Sequence, residues 1–538
     1  MKVLVVMEAD LTRGPQGLAP RLAEDLGGKP VLRRTVENLS RVEGLIGVEV
    51  ITTSRADHTA CCDILSGLDC RVTLDEMPDL PHRDVLRRSR LWARNSWRGG
   101  IGGTTVFDEV GAPARLLAAG MRRDPEVLVH VPAEAPLIEP GQVSGIVRQF
   151  AQNVDKTSFS FADLPPGLNA ALYTAKLLDQ LAKLRLTPYT FLRYRPEAPQ
   201  RDSAELDACF HGDDRLRMLP FRMTSDSRRC LERLWAACQN GVDAWHAAEL
   251  LRTTPGLWAG RVPEEMEIQV AAPAQSEDPD RDCFASMTRF MDEATFAALV
   301  RAASVYDDVN LTLGGPGDPL AHPELPRFLA MVRESGIHGL AITTTARLLT
   351  PEKMDLLISA DVDAVSVLMG GGDELSYKEM YGVEGYDRAA SCIREFIRRR
   401  KARGRATPFV LPIFVKTRKT VAQMEQWYDQ WYAQSDWPVI RGWNDCAGQR
   451  TDESVLHPVL GIRIPCKTLF GRMHVAVDGG VTACGQDFSF AHALADLGHR
   501  SVEEIWNGPE LSGLRADHVA GNFRSFPLCR NCMDWYHL

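Results

Sequence analysis

The chain contains no apolar run of about 18 residues or more, the length a helix needs to cross a bilayer, so no membrane partner is expected. Positive charge is not in excess either. The 62 Lys and Arg stand against 71 Asp and Glu, a net charge of −9, which argues against nucleic acid as a partner because neutralising phosphates needs clustered cations. The opening stretch Met1 to Met7 lacks a basic segment followed by an apolar signal core and reads as the start of a strand, so a cytoplasmic location is expected. Nor is the chain short of core-forming residues. With 45% hydrophobic and 25% charged residues and 11 Trp, it is neither disordered, collagenous nor low in complexity.

At 538 residues the chain exceeds what one core usually takes, and two to four domains are expected. Thirteen cysteines in a cytosolic-looking protein are not a disulfide framework. Clustered ones read first as metal ligands or redox groups, and the rest as small core residues.

The first third alternates strand-like and helical runs: Lys2 to Met7, a helix near Leu32 to Leu39, Val48 to Thr53, a helix from Pro113 to Leu117, then Val127 to Val131. That alternation predicts an α/β domain with a mostly parallel sheet. Its ligand-facing loops leave the carboxyl ends of strands, as Val131 to Ile138 does. After the punctuation Thr253-Thr254-Pro255-Gly256, a second βα series follows, with strands at Met266 to Ala271, Val309 to Leu313, Leu340 to Thr344, Val362 to Leu368, Pro408 to Val415 and Val439 to Trp443. Six such units predict a partial (β/α)6 barrel. Beyond about Cys446 the chain turns to short strands, glycines and clustered cysteines. The expected domains are therefore 1–245, 262–445 and 446–538.

In the tail, twelve residues separate Cys466 from Gly479 and four more separate Gly479 from Cys484, across a hairpin-like pair of runs, Met473 to Val477 and Val481 to Ala483. A turn at the glycine brings the two thiols near one centre. Cys529-Arg530-Asn531-Cys532 adds a second pair, whose two-residue gap lets both sulfurs bind one centre. Four thiolates complete a soft site, for which zinc competes with an iron–sulfur cluster. Pro465-Cys466, the Gly479 and Cys484 spacing, Asp487, Leu497-Gly498, Glu504-Ile505-Trp506-Asn507 and Cys529/Cys532 together resemble a SPASM domain. The resemblance implies one auxiliary [4Fe-4S] cluster on Cys466, Cys484, Cys529 and Cys532. The cysteines of the longer, two-cluster SPASM pattern are missing.

The middle run Val309-Asn310-Leu311-Thr312-Leu313-Gly314-Gly315-Pro316-Gly317-Asp318, followed by His322-Pro323, resembles the second strand and Gly-Gly-Glu region of radical SAM enzymes. By that resemblance Gly314, Gly315 and Asp318 form a degenerate SAM-type loop, with Asp318 one methylene shorter than the usual Glu. The family's Cys-x3-Cys-x2-Cys loop belongs after the first strand, where the chain reads Ala271-Ala272-Pro273-Ala274-Gln275-Ser276-Glu277-Asp278-Pro279-Asp280-Arg281-Asp282-Cys283. One thiolate cannot hold a three-cysteine cluster, and the added acids oppose an anionic one. SAM is accordingly not an expected cofactor.

Near the start, Leu26-Gly27-Gly28-Lys29-Pro30-Val31-Leu32, the Val131 to Ile138 loop, Pro165-Pro166-Gly167-Leu168-Asn169 and Phe221-Arg222-Met223-Thr224-Ser225-Asp226 resemble cytidylyltransferases of the KDO and spore-coat polysaccharide type. The resemblance implies Mg2+ held by Glu134 and Asp226 against nucleotide phosphates. In the phosphate loop, however, Glu8 stands where the family has Arg and Asp10 where it has Gly, a charge reversal beside an anion. Arg83, Arg87, Arg90, Arg94 and Arg98 recur at helical spacing and read as a solvated face. Met424, Trp427, Tyr428 and Trp431 read as a core-facing stripe.

The three parts together resemble the spiro-SPASM family. The expected protein is an iron–sulfur protein with one cluster serving electron transfer, docking or structure for a protein or redox partner, with radical chemistry lost. Two alternatives stand beside it: a Mg2+-dependent, CTP-type sugar nucleotidyltransferase, and an active SAM enzyme with an unconventional cluster.

Overall fold

The computed structural model describes residues 1–535 except 15, 78–82, 109–111, 189–191, 193–201, 218, 220, 239–242 and 457–462. The chain forms two compact units, Met1–Leu257 and Trp258–Leu538.

In the first unit the strands β1 (Val3–Glu8), β2 (Leu45–Thr52), β3 (Arg71–Leu74), β4 (Val127–His130), β5 (Phe159–Ala162), β6 (Ala171–Tyr173) and β7 (Cys209–Phe210) form one sheet in the order β3-β2-β1-β4-β6-β5-β7. β1 lies parallel to both β2 and β4, and all six of its residues are buried. That burial explains its unbroken apolar run: a strand covered on both faces has no reason to alternate. β6 runs antiparallel to β4 and β5. The strand order reverses between β1 and β4, so the loops leaving Glu8 and His130 face the crevice where such sheets bind ligands. The helix expected near Leu32 is Val31–Leu39, and the one at Pro113 runs to Gly120.

The second unit is built on β8 (Glu265–Ile268), β9 (Ala271–Pro273), β10 (Met287–Phe290), β11 (Asn310–Leu313), β12 (Gly339–Thr344), β13 (Ala364–Gly370), β14 (Phe409–Lys416), β15 (Val439–Gly442), β16 (Arg472–Val475), β17 (Gly480–Thr482) and β18 (Ala495–Asp496). Its large sheet has the order β15-β14-β13-β12-β11-β8-β16-β17-β18, with β9 and β10 a separate antiparallel pair. The six strands β8 and β11 to β15 are parallel, as the six βα units require. One expected strand is divided. Met266 to Ala271 splits at Gln269, whose side chain donates to the Pro316 carbonyl at 2.7 Å and accepts from the Val477 amide at 3.3 Å.

Glu267, Thr343, Ser366, Leu368, Ile413, Val415 and Arg441 from these strands all line one cavity of about 680 Å³. One face of the sheet therefore wraps around a lumen. β16 pairs parallel with β8, Met473 opposite Met266, and β17 and β18 follow antiparallel, so the tail continues the same sheet. Of the aromatic stripe, Trp427 and Trp431 are buried and Met424 and Tyr428 half-buried.

Candidate metal centre

Each tail cysteine is placed by a different local device. Cys466 precedes the short helix Thr468–Gly471 that feeds β16. Gly479, at φ +89, makes the turn that returns β16 as β17 in register, Val475 opposite Val481. A left-handed turn residue there is cheap only for glycine. Cys484 follows two residues after β17 ends. Cys529 lies in the helix Pro527–Asn531 and Cys532 caps its carboxyl end. All four thiols line the 680 Å³ lumen.

Burial, together with neighbouring thiols, pushes the Cys529 thiol up to about 12 and Cys532 up to about 11. Cys484 is raised for the same two reasons, against an amide N–H donated by Gln486. Thiols that raise one another stay protonated when left to themselves, and a bound cation inverts that order. Several groups are ready for the anionic form. The Asp534 amide donates to Cys532 Sγ at 3.3 Å. Arg463, stacked 4.5 Å over the Phe523 ring, lowers Cys529 and Cys532. His518, pushed down to about 4 by burial and by Arg463, is neutral and accepts the Cys466 amide at Nδ1.

The spacing bears on what would bind. Zinc at about 2.3 Å from each sulfur holds four thiolates roughly 3.8 Å apart. Among the described residues only Asp163, Cys209 and His211 bring three such ligand atoms mutually within 4.8 Å, so no three of the tail thiols do. A cubane, which gives each thiolate its own iron, spaces its ligands more widely.

Asp487 and the Glu504 stretch support the centre from behind. Asp487, fully buried, accepts from Thr482 Oγ1 at 2.8 Å and the His492 amide at 2.9 Å. Glu504 closes a capping box with Ser501. Trp506 is buried with its Nε1 donating to the Ala259 carbonyl, while Arg515 stacks 4.0 Å over its ring.

The lumen contains the stretch that stands where a three-cysteine loop belongs. Asp280 accepts from Arg441 at 3.1 Å and from Arg450 at 3.0 Å, and Asp278 takes the other arm of Arg450. Cys283 is buried, its thiol pushed up to about 12 mainly by burial, and it donates to the Pro279 carbonyl at 3.3 Å. Cys446 also lines the lumen. Sequence reasoning missed the two arginines, because Arg441 and Asp280 are 161 residues apart and neither belongs to a motif.

Gly315 lines the lumen but Gly314 and Asp318 do not. Asp318 is buried and caps the turn Pro319–Ala321, accepting from the Leu320 amide, from Thr344 Oγ1 at 2.8 Å, and from the amide and hydroxyl of Thr345. Burial raises its carboxyl above the usual range despite these four donors. Asp318→Glu, which restores the radical SAM residue, adds a methylene to a filled pocket. It is expected to cost about 1–3 kcal/mol, read as a lower urea midpoint at unchanged slope.

In the first unit Asp226 is buried against Arg222, Oδ1 to Nε 2.8 Å, with the guanidinium also on Asn95 and Ser227. Glu134 lines a cavity of about 30 Å³ with Glu8, Asp10, Arg13, Arg83 and Arg87; Asp226 does not. That volume holds a water, whereas small-molecule sites run to roughly 300–1,000 Å³. The arginine stripe corrects the expectation of a solvated face: Arg87, Arg90 and Arg94 are buried. The helix Arg83–Arg90 turns Arg87 and Arg90 inward, Arg87 onto Asp84 at 3.0 Å and Arg90 onto the Ala93 and Thr104 carbonyls. Glu8 accepts from Arg83 at 3.1 Å, Arg115 at 3.4 Å and the Ala112 amide at 2.8 Å. The reversed charge is thus neutralised from within.

Residues 466–533 match the iron–sulfur cluster-binding domain SPASM, and residues 283–421 match the radical SAM superfamily. The second unit therefore carries a stretch that matches the radical SAM superfamily, followed by one that matches the iron–sulfur cluster-binding SPASM domain. Its superfamily match begins at Cys283, the last residue of the stretch that lacks the three-cysteine loop. Among solved structures it is similar to BtrN in complex with AdoMet and 2-DOIA (17% identity, 50% of this chain and 93% of that one, TM-score 0.34). It is similar also to Streptococcus suis SuiB bound to precursor peptide SuiA (12% identity, 53% and 71%, TM-score 0.40). A third is a cytidylyltransferase from Leptospira borgpetersenii serovar Hardjo-bovis (15% identity, 48% and 95%, TM-score 0.33). No curated protein matches the chain. Among the described residues no helix is long and apolar enough to cross a membrane.

Proposed function

We propose that the chain carries a single [4Fe-4S] cluster on Cys466, Cys484, Cys529 and Cys532 and that radical SAM chemistry has been lost. The observation that carries this reading is the buried Asp280–Arg450 pair, supported by Arg441, in the stretch of the barrel where a three-cysteine loop belongs. An ion pair there occupies the positions from which the thiolates of a second cluster would come. Asp318, spent on four internal donors, is not free to take the amino group of a ligand in the lumen.

When bound, the tail cluster supplies one-electron transfer at a centre whose irons are all held by cysteine. The chain's own residues tune and protect it: Arg463 offsets thiolate charge, the Asp534 and Gln486 amides donate to sulfur, and Trp506 with Arg515 fixes the supporting helices. Its role is electron transfer to a protein partner, docking, or bracing of the tail.

The test is iron, sulfide and zinc per chain in anaerobically reconstituted full-length protein, followed by incubation with SAM and a strong reductant. About four irons and four sulfides, the content of one cubane, with no 5′-deoxyadenosine are expected. About eight irons, or deoxyadenosine formation, overturns the loss of radical chemistry. One zinc and no iron overturns the cluster.

A further inference from the structure

The first unit contains a second group of metal-type ligands, which plays no part in the reading above. β5 and β7 run parallel with Phe161 opposite Cys209 and Ala162 opposite Phe210. The next step of that register places Asp163 beside His211. The Asp163 amide donates to the Phe210 carbonyl at 3.3 Å, and the Gly212 amide donates to Asp163 Oδ1 at 3.0 Å. The carboxylate is thereby held with its Oδ2 2.8 Å from His211 Nδ1. Cys209 and His211, two positions apart along an extended chain, project to the same side.

Thiol, carboxylate oxygen and ring nitrogen all lie within 4.8 Å of one another. Cys209 and Asp163 are buried, at 3% and 8% exposure, while the His211 side chain is 55% exposed. The group is thus a pocket of fixed ligands with an accessible ring at its mouth. One sulfur, one nitrogen and one oxygen is a donor set that zinc accepts in full, and three protein ligands leave a fourth position open.

The geometry points to a Zn2+ site on Asp163, Cys209 and His211, with its fourth position available to water or to a small ligand. Binding replaces the Cys209 proton by the metal and displaces the proton held between His211 Nδ1 and Asp163 Oδ2, which moves to His211 Nε2 so that both atoms can bind the ion. The released proton goes to solvent. One feature opposes the ion: Arg217 Nη1 sits 3.4 Å from Asp163 Oδ2, although Nη2 of the same guanidinium is drawn to Asp214 at 3.1 Å.

That opposition makes the test specific. Full-length protein with its tail cluster reconstituted is titrated with Zn2+ by calorimetry and with Co2+ by visible absorption, alongside His211→Ala, Cys209→Ser and Arg217→Ala. One zinc equivalent per chain is expected, with at least tenfold weaker binding in His211→Ala and Cys209→Ser. The tetrahedral cobalt bands are lost in both variants, whereas Arg217→Ala binds at least as tightly as the parent. His211 is exposed, so His211→Ala folds even if Cys209→Ser does not, and it decides the matter alone. Equal zinc affinity in parent and His211→Ala, or no uptake by the parent, overturns the site. Zinc taken up by the tail thiols instead of iron is common to parent and variant and cancels in that comparison, so failure of the cluster reading is read separately.

Discussion

Cys529→Ala combined with Cys532→Ala is expected to leave the chain without iron, against about four irons in the parent. Both residues belong to one short element, Pro527–Asn531 and its cap, so the pair removes half of the ligands without touching β16 or β17. Cys466 and Cys484 are left to hold a cluster alone, which two thiolates do not do. The effect extends to stability, because a group that binds only the folded tail adds its binding free energy to folding. In the double variant only Cys466 and Cys484 remain of the four thiols, and with no metal between them the tail around the lumen is held by packing alone. It is expected to melt before the barrel, as a separate early transition in calorimetry. Iron retained at the parent level in the double variant would place the cluster elsewhere in the chain.

Asp280→Asn is expected to cost about 3 kcal/mol in denaturant unfolding. Breaking a buried ion pair by removing one partner costs roughly 3–5 kcal/mol, because the other charge stays behind. The lower end applies for two reasons. Arg441 is 47% exposed and water screens it, and Arg450, at 10% exposure, keeps Asp278 at 3.1 Å and stacks 4.2 Å over Trp443. Arg450→Met in the Asp280→Asn background is expected to recover part of the loss, since it removes the stranded charge. Recovery of nothing would mean that the pair contributes through packing alone. Asp280→Cys is expected to bring no additional iron, since Cys283 is the only nearby thiol of that loop.

The strands of both units were legible wherever periodicity or an apolar run marked them. β1, β2, β4 and the six parallel barrel strands follow the expected runs to within about three residues. The Gly479 turn was legible too, because a left-handed glycine is a local signal, and Cys466, Cys484, Cys529 and Cys532 all line one lumen. What was not legible depends on pairs distant in the chain. The acids at 278–282 read as hostile to an anionic cluster, but their arginine partners at 441 and 450 carry no motif. The arginines at 87, 90 and 94 read as a solvated stripe because helical spacing does not say which face is covered, and here all three are buried, Arg90 on backbone carbonyls and Arg87 on Asp84. Asp163, Cys209 and His211 went unnoticed because the register of two short strands, not spacing along the chain, brings them together.

The pairing of β16 with β8 has a consequence for how this chain can be divided. In an open sheet the edge strand exposes a row of unsatisfied amides and carbonyls, an invitation to pair with another molecule. β8 is the first strand of the barrel, and the tail hairpin occupies that edge from Arg472 opposite Glu265 to Val475 opposite Ile268. The cysteine-rich segment therefore covers the edge through which the barrel would self-associate. A cut placed between the two would leave an adhesive barrel on one side and a three-stranded fragment without its platform on the other.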